Sequence, residues 1–209
     1  MALVVERHTV TQAQSNCYVV RAERGAPEAA VIDPGGGAAE LRLDLARAGA
    51  RATAILVTHG DYDHVGAVAE LADGTGAKVY FPDGEQERME INRQWAESIP
   101  EFTIDVLLRG NETFEAAGIE WQTVSIPGHS PAHVAFHAED SLFSGDLVFA
   151  GGVGRTDLPG GDWDTLVASV RALADRFPPE TRIYPGHGPA TTLGAELERN
   201  PFLAELRTS

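Results

Sequence analysis

Short apolar runs broken by turn residues fill the opening of the chain. LVVE, NCYVVRA and AAVID have strand length, and Arg-Gly-Ala-Pro separates the second from the third, so three strands, read as antiparallel, are predicted up to Asp33. Beyond Pro34 and three glycines the period changes. Leu41 and Leu45, with Ala48 following, define an amphipathic helix that closes near Gly49. ATAILVT then reads as a strand that delivers His59 at its carboxyl end, and Val65, Val68 and Ala72 share a face of a second helix running from around His64 to Gly74 or Gly76.

KVYF is a further short strand. The following stretch, DGEQERMEINRQWAES, is polar and made of helix formers, with Met89, Ile91 and Trp95 as its few apolar contacts; it reads as an exposed helix or lid. Strands recur around FTIDVLL, ETFEA, IEWQTVSI, HVAFHA and SLFSGD. A helix follows from about Thr165 to Phe177, with Leu166, Val170, Leu173, Ala174 and Phe177 as its buried stripe and Asp162 or Asp164 as its cap. RIYPG is the last strand, ending at His187, and a short helix from about Thr191 carries Leu193 and Leu197. Strands this apolar need cover on both faces. The layer solution is an α+β fold with two sheets face to face and helices outside, an αββα sandwich, read as one domain over residues 1–209 because no linker or low-complexity segment divides the chain.

Charge narrows the function classes. With 16 Lys and Arg against 31 Asp and Glu the formal net charge is −15, which repels phosphate backbones and anionic membranes. No basic run offers a local exception, so neither nucleic acid nor a membrane is an expected partner. The segment MALVVERHTVTQ lacks the features of a signal peptide, and no apolar run approaches bilayer length, so a cytoplasmic location is expected. The single cysteine, Cys17, excludes an intramolecular disulfide and reads as a small buried side chain in a strand. Nothing in the pattern sets an oligomeric state.

Chemistry is concentrated at strand ends. THGDYDHVG follows an apolar strand and opens a helix, so His59, Asp61, Asp63 and His64 emerge together from one loop. His129 in SIPGHSPAH, Asp146 in SLFSGDLVF and His187 in RIYPGHGP each follow an apolar strand beside a glycine. Imidazole nitrogens and carboxylate oxygens converging from separate segments are what holds Zn²⁺ or a similar divalent ion. Singly, each of these histidines is more often structural than ligating; their joint placement points to metal.

In this order the residues resemble the metallo-β-lactamase superfamily, whose pattern is HxHxDH, a His, a bridging Asp and a final His. Within it GVGRTDLPGGD and PGHGPATTLGAELERNPFL resemble the single-domain branch related to glyoxalase II. The resemblance implies that His59 and His129 bind a first metal, that Asp63, His64 and His187 bind a second, and that Asp146 bridges them. It implies also that Asp63 orients the nucleophilic water and accepts its proton, and that Asp33 supports a metal-binding histidine from behind. His133 reads as a hydrogen-bonded supporting or core residue, and His8 and His137 as incidental. Arg155 either binds an acidic group of the substrate or pairs with Asp157 or Asp162.

One position departs from the pattern. Asp61 stands where the family carries its second histidine, giving HxDxDH. A carboxylate is shorter than imidazole and adds a negative charge, which favours harder ions such as Mn²⁺ or Fe²⁺. Three states stay open: two zinc ions with Asp61 as an unusual ligand, a single ion, or a mixed or non-zinc pair. The expected activity is hydrolysis of a small thioester or ester by a metal-activated water. The alternatives are a mononuclear iron enzyme resembling persulfide dioxygenases, with His59, His129 and Asp146 as its two-histidine, one-carboxylate face, and a metal-binding protein without turnover.

Overall fold

The computed structural model describes residues 3–95 and 99–207. The chain opens on β1 (Val4–Val10), β2 (Ser15–Arg21) and β3 (Glu28–Ile32), paired antiparallel in sequence order as expected. Helix α1 (Ala38–Arg47) crosses over to β4 (Arg51–Leu56), which lies parallel to β3. Beyond the ligand loop come α2 (Tyr62–Val65), α3 (Val68–Thr75), β5 (Lys78–Pro82), α4 (Gln86–Trp95) and β6 (Val106–Leu108). These six strands form one sheet in the order β1-β2-β3-β4-β5-β6. The second sheet collects β7 (Thr113–Ala116), β8 (Ile119–Ser125), β9 (Val134–Ala138), β10 (Ser141–Gly145), β13 (Arg182–Pro185) and β14 (Thr191–Thr192), in the order β14-β13-β10-β9-β8-β7. A two-stranded ribbon, β11 (Val148–Phe149) with β12 (Gly152–Val153), leads to α5 (Trp163–Arg176). Helix α6 (Leu193–Arg199) and a 3₁₀ segment (Pro201–Arg207) end the described chain.

Alternation within the strands sorts side chains into three layers of core. Tyr18, Val20, Ala30, Ile32 and Leu56 of the first sheet meet Trp121, Phe136 and Phe143 of the second. The intervening residues Cys17, Val19, Val31, Ile55 and Val57 face α1 and α3 through Leu41, Leu45, Val68 and Leu71. On the far side Val124, Ala135, Leu142 and Ile183 pack under Leu166, Val170, Leu173 and Phe177 of α5. The αββα sandwich is therefore the observed architecture, and Cys17 is wholly buried, its thiol pKa raised by burial and by the charge of Asp33.

Of three local differences from the sequence reading, the first two have direct physical causes. The helix expected from His64 onward is two helices, α2 and α3, because Ala67 donates its N–H to the carbonyl of Pro34, outside the helix. Gly66 lies against the Gly35 carbonyl, where an added Cβ would stand at 2.5 Å. The α5 helix starts two residues early, with the Asp162 side chain accepting from the Thr165 N–H as its cap. Only three residues of FTIDVLL pair, as β6. In the polar segment α4 forms with Met89 buried, while the side chain of Trp95 and residues 96–98 lie outside the described residues.

Candidate metal centre

Parallel pairing of β3 with β4 and of β10 with β13 sends the carboxyl ends of these strands to one edge of the sandwich. Asp33 follows β3, His59 to His64 follow β4, His129 follows β8, Asp146 follows β10 and His187 follows β13. Two groups of ligand atoms assemble there. His59, His129 and Asp146 form one and Asp63, His64 and His187 the other, each with donor atoms within 4.8 Å of one another. Asp146 faces both: its Oδ1 lies 3.4 Å from His64 Nε2, and its Oδ2 lies 3.3 Å from His187 Nε2 and 4.0 Å from His129 Nε2.

Hydrogen bonds behind the ligands fix which nitrogen each imidazole presents. Asp33, itself in the left-handed region at φ 51°, accepts the Thr58 N–H on Oδ1 at 2.8 Å and the Thr58 hydroxyl on Oδ2 at 2.7 Å. His64 Nδ1 donates to the same Oδ2 at 3.1 Å. The hydroxyl of Thr58, having given its proton to Asp33, accepts from His59 Nδ1 at 2.9 Å. One buried carboxylate therefore sets the tautomer of both histidines and leaves each Nε2 lone pair facing the site. His129 Nδ1 donates to the Arg155 carbonyl at 2.7 Å, which aims its Nε2 inward as well. The second sheet's loop is tied to the first sheet in turn. Asn16 and Tyr18 of β2 donate to the Pro185 carbonyl, Asn16 donates also to that of Gly188, and the Ser15 hydroxyl donates to the Asp63 carbonyl.

The donor set fits a divalent cation. Among the described residues His59 Nε2, His64 Nε2 and Asp146 Oδ1 are buried without a hydrogen-bond partner, a costly arrangement unless something binds them. The electrostatics point the same way. Burial opposes charge on His64, yet the carboxylates of Asp146 and Asp63 raise its pKa well above the usual imidazole range. Hydrogen bonds to Asp146 and Asp63 push that of His187 up to about 10. Burial works to raise the pKa of Asp63 and Asp146, but the imidazole of His64 and the hydrogen bond from His187 hold both carboxyl groups low. The cluster thus draws positive charge inward. His133 stays apart from this: burial, then the neighbouring His59 and His129, depress its pKa, and its Nε2 accepts from the Asp146 N–H at 3.3 Å.

The remaining expected residues lie as follows. The Arg155 side chain is exposed and pairs with Asp157 through two hydrogen bonds of 2.7 Å, so what this residue gives the centre is its carbonyl. Asp61 Oδ2 sits 3.0 Å from His129 Nε2 and 3.6 Å from His59 Nε2, beside the first group, with both oxygens engaged by Arg88 of α4. His8 and His137 lie on β1 and β9, in neither ligand group. The sequence reading missed Arg88, Asn92, Thr58 and Glu85. Glu85 is wholly buried and accepts from the Gly60 N–H at 2.9 Å and the Ala132 N–H at 3.0 Å, so it staples the His59 loop to the His129 loop. One signal was available: an extra aspartate among the ligands calls for a counter-ion.

Comparison with known proteins agrees with this geometry. The family model of the metallo-beta-lactamase superfamily matches residues 10–187. Hydroxyacylglutathione hydrolase GloC of Haemophilus influenzae is 34% identical over 214 residues, covering 95% of this chain and 97% of that protein. Among solved structures, BLEG-1 B3 metallo-beta-lactamase superposes with a TM-score of 0.89 at 34% identity, covering 96% of this chain and 100% of the other. TTHA1623 in a di-iron-bound form gives 0.83 at 40% identity, covering 95% and 100%. A chain whose strand ends gather two histidine and carboxylate groups in this order, and which matches the family over this much of its length, belongs to the metallo-beta-lactamase superfamily.

Proposed function

We propose that the protein is a metal-dependent thioester hydrolase acting on a small acyl or hydroxyacyl thiol conjugate. The observation that carries this reading is the pair of ligand groups that both meet Asp146, with the inward-facing Nε2 atoms of His59 and His64 left without a hydrogen-bond partner. The kinship with a hydroxyacylglutathione hydrolase supports the substrate class. His59, His129 and Asp146 would hold one ion, and Asp63, His64 and His187 a second in contact with Asp146. A divalent ion so held supplies a Lewis acid and a water of lowered pKa, zinc being the expected metal and Fe²⁺ or Mn²⁺ the alternatives.

The chain's own residues do the rest. Asp63 stays ionised under the charge of His64 and the hydrogen bond of His187, so its carboxylate accepts a hydrogen bond from the attacking water and holds it in line with the thioester carbonyl. The proton taken at Asp63 passes to the departing thiolate, so that thioester and water become carboxylic acid and thiol. A cavity of about 430 Å³ lined by Arg88, Ile91, Asn92, Leu158 and Pro159 lies beside Asp61 and suits the acyl group.

A second reading is favoured by one observation: His59, His129 and Asp146 form a two-histidine, one-carboxylate face of the kind that holds a single iron in oxygenases. Elemental analysis and turnover on matched substrates separate the two. Zinc together with cleavage of lactoyl or acetyl thioesters, followed by thiol release, supports the hydrolase. One equivalent of iron with oxygen uptake on a persulfide, and no thioester cleavage, overturns it; a β-lactam in the same assay panel tests the activity named for BLEG-1.

A further inference from the structure

The departure at position 61 has a partner in space that the sequence conceals. Arg88 of α4 meets Asp61 with two prongs, Nε on Oδ1 at 2.5 Å and Nη2 on Oδ2 at 2.8 Å. Asn92, one turn further along α4, donates to Oδ1 at 2.9 Å and to the Gly60 carbonyl at 3.1 Å. The pair is largely enclosed, with side chains 15% and 7% exposed, and Arg88 Nη1 reaches the Pro159 carbonyl at 3.3 Å. Each oxygen of Asp61 is therefore already an acceptor for a fixed cation. Burial works to raise the pKa of Asp61, but the neighbouring imidazoles of His129 and His59 and the pair with Arg88 overcome it and keep the carboxyl far below its usual range. In charge, a neutral imidazole replaced by aspartate adds −1, and the guanidinium removes it.

We propose that Arg88 is a positioning residue that holds Asp61 outside the coordination sphere. The first ion would then have three protein ligands, His59, His129 and Asp146, with the Asp61–Arg88 pair beside them as one neutral unit. A planar fork suits this task because both oxygens are held at once, as a lysine could not hold them. The proposal rests on the reading of the cluster as a metal centre but goes beyond it, since a histidine at this position would bring no charge for a guanidinium to balance.

The test uses purified full-length protein stripped by a chelator and reloaded with Co²⁺, whose absorption spectrum reports coordination, with affinity read by competition against a chromophoric chelator. Arg88→Gln frees Asp61, so the first-site spectrum shifts toward higher coordination and the affinity rises by about tenfold. The double variant Asp61→Asn with Arg88→Gln removes the pair as a neutral unit. It keeps the wild-type spectrum, the number of ions bound and an affinity within about threefold. Loss of one ion per chain in the double variant, or an unchanged spectrum in Arg88→Gln, overturns the proposal. Wild-type protein that takes up no Co²⁺ overturns the metal reading itself and the proposal with it. Should the double variant not fold, as judged by circular dichroism, the spectrum of Arg88→Gln decides alone.

Discussion

The two ligand groups differ in what stands behind them. Asp63, His64 and His187 are braced by strands: Asp33 at the end of β3 holds His64, Ser15 of β2 holds the Asp63 backbone, and Asn16 and Tyr18 fix the loop that carries His187. His59, His129 and Asp146 lean partly on loops and on α4, through the Arg155 carbonyl, the Glu85 staple and the Asp61–Arg88 pair. The first arrangement is rigid because two sheets build it. The second can be tuned without disturbing the sandwich, and the departure from the family pattern falls there.

Breaking both halves at once gives the largest effect. Asp146→Asn removes the carboxylate that faces either group, and turnover on a thioester is expected to fall by about 10²–10³-fold with loss of bound metal by elemental analysis; retained metal would mean that the two groups act independently. Asp33→Asn is next. It removes the acceptor that aims His64 and, through Thr58, His59, so the affinity for metal should drop by about 10–100-fold at both sites by chelator competition. A loss confined to one site would show that the Thr58 relay carries nothing.

Smaller effects sharpen the contrast. Glu85→Gln turns a donor toward one of the two N–H groups that Glu85 accepts, the buried one of Gly60 or the part-buried one of Ala132, and should lower stability by about 1–3 kcal/mol in urea unfolding, while weakening metal binding only at the first group. Equal weakening at both would contradict the division drawn above. Arg155→Ala should change kcat/KM by less than about threefold, because an exposed pair with Asp157 contributes little and the carbonyl remains. A tenfold rise in KM would return its side chain to the substrate.

What the sequence discloses follows the same line. Strands such as ATAILVT and SLFSGD announce themselves by apolar runs, and ligands that follow them beside a glycine can be found without coordinates. The α2 and α3 break cannot, since a lone Gly66 is compatible with a continuous helix and only the approach of the Pro34 and Gly35 carbonyls decides the matter. Strands β11, β12 and β14 have two residues each and no period to detect. Arg88 is hidden for a different reason. It is one charged residue in a polar helix, 27 positions from the carboxylate it meets, and pairing across that distance is a property of the fold.

Gly186 carries a last consequence. It passes so close to the centre that a Cβ there would stand 2.0 Å from Asp146 Oδ1 and 2.7 Å from His64 Cε1. A single methyl would thus act as a plug, occupying space between side chains of both ligand groups. Drift in the outer helices can proceed by small steps, whereas the floor at Gly186 has no room for an added carbon; new specificities in such a scaffold arise more readily from the rim.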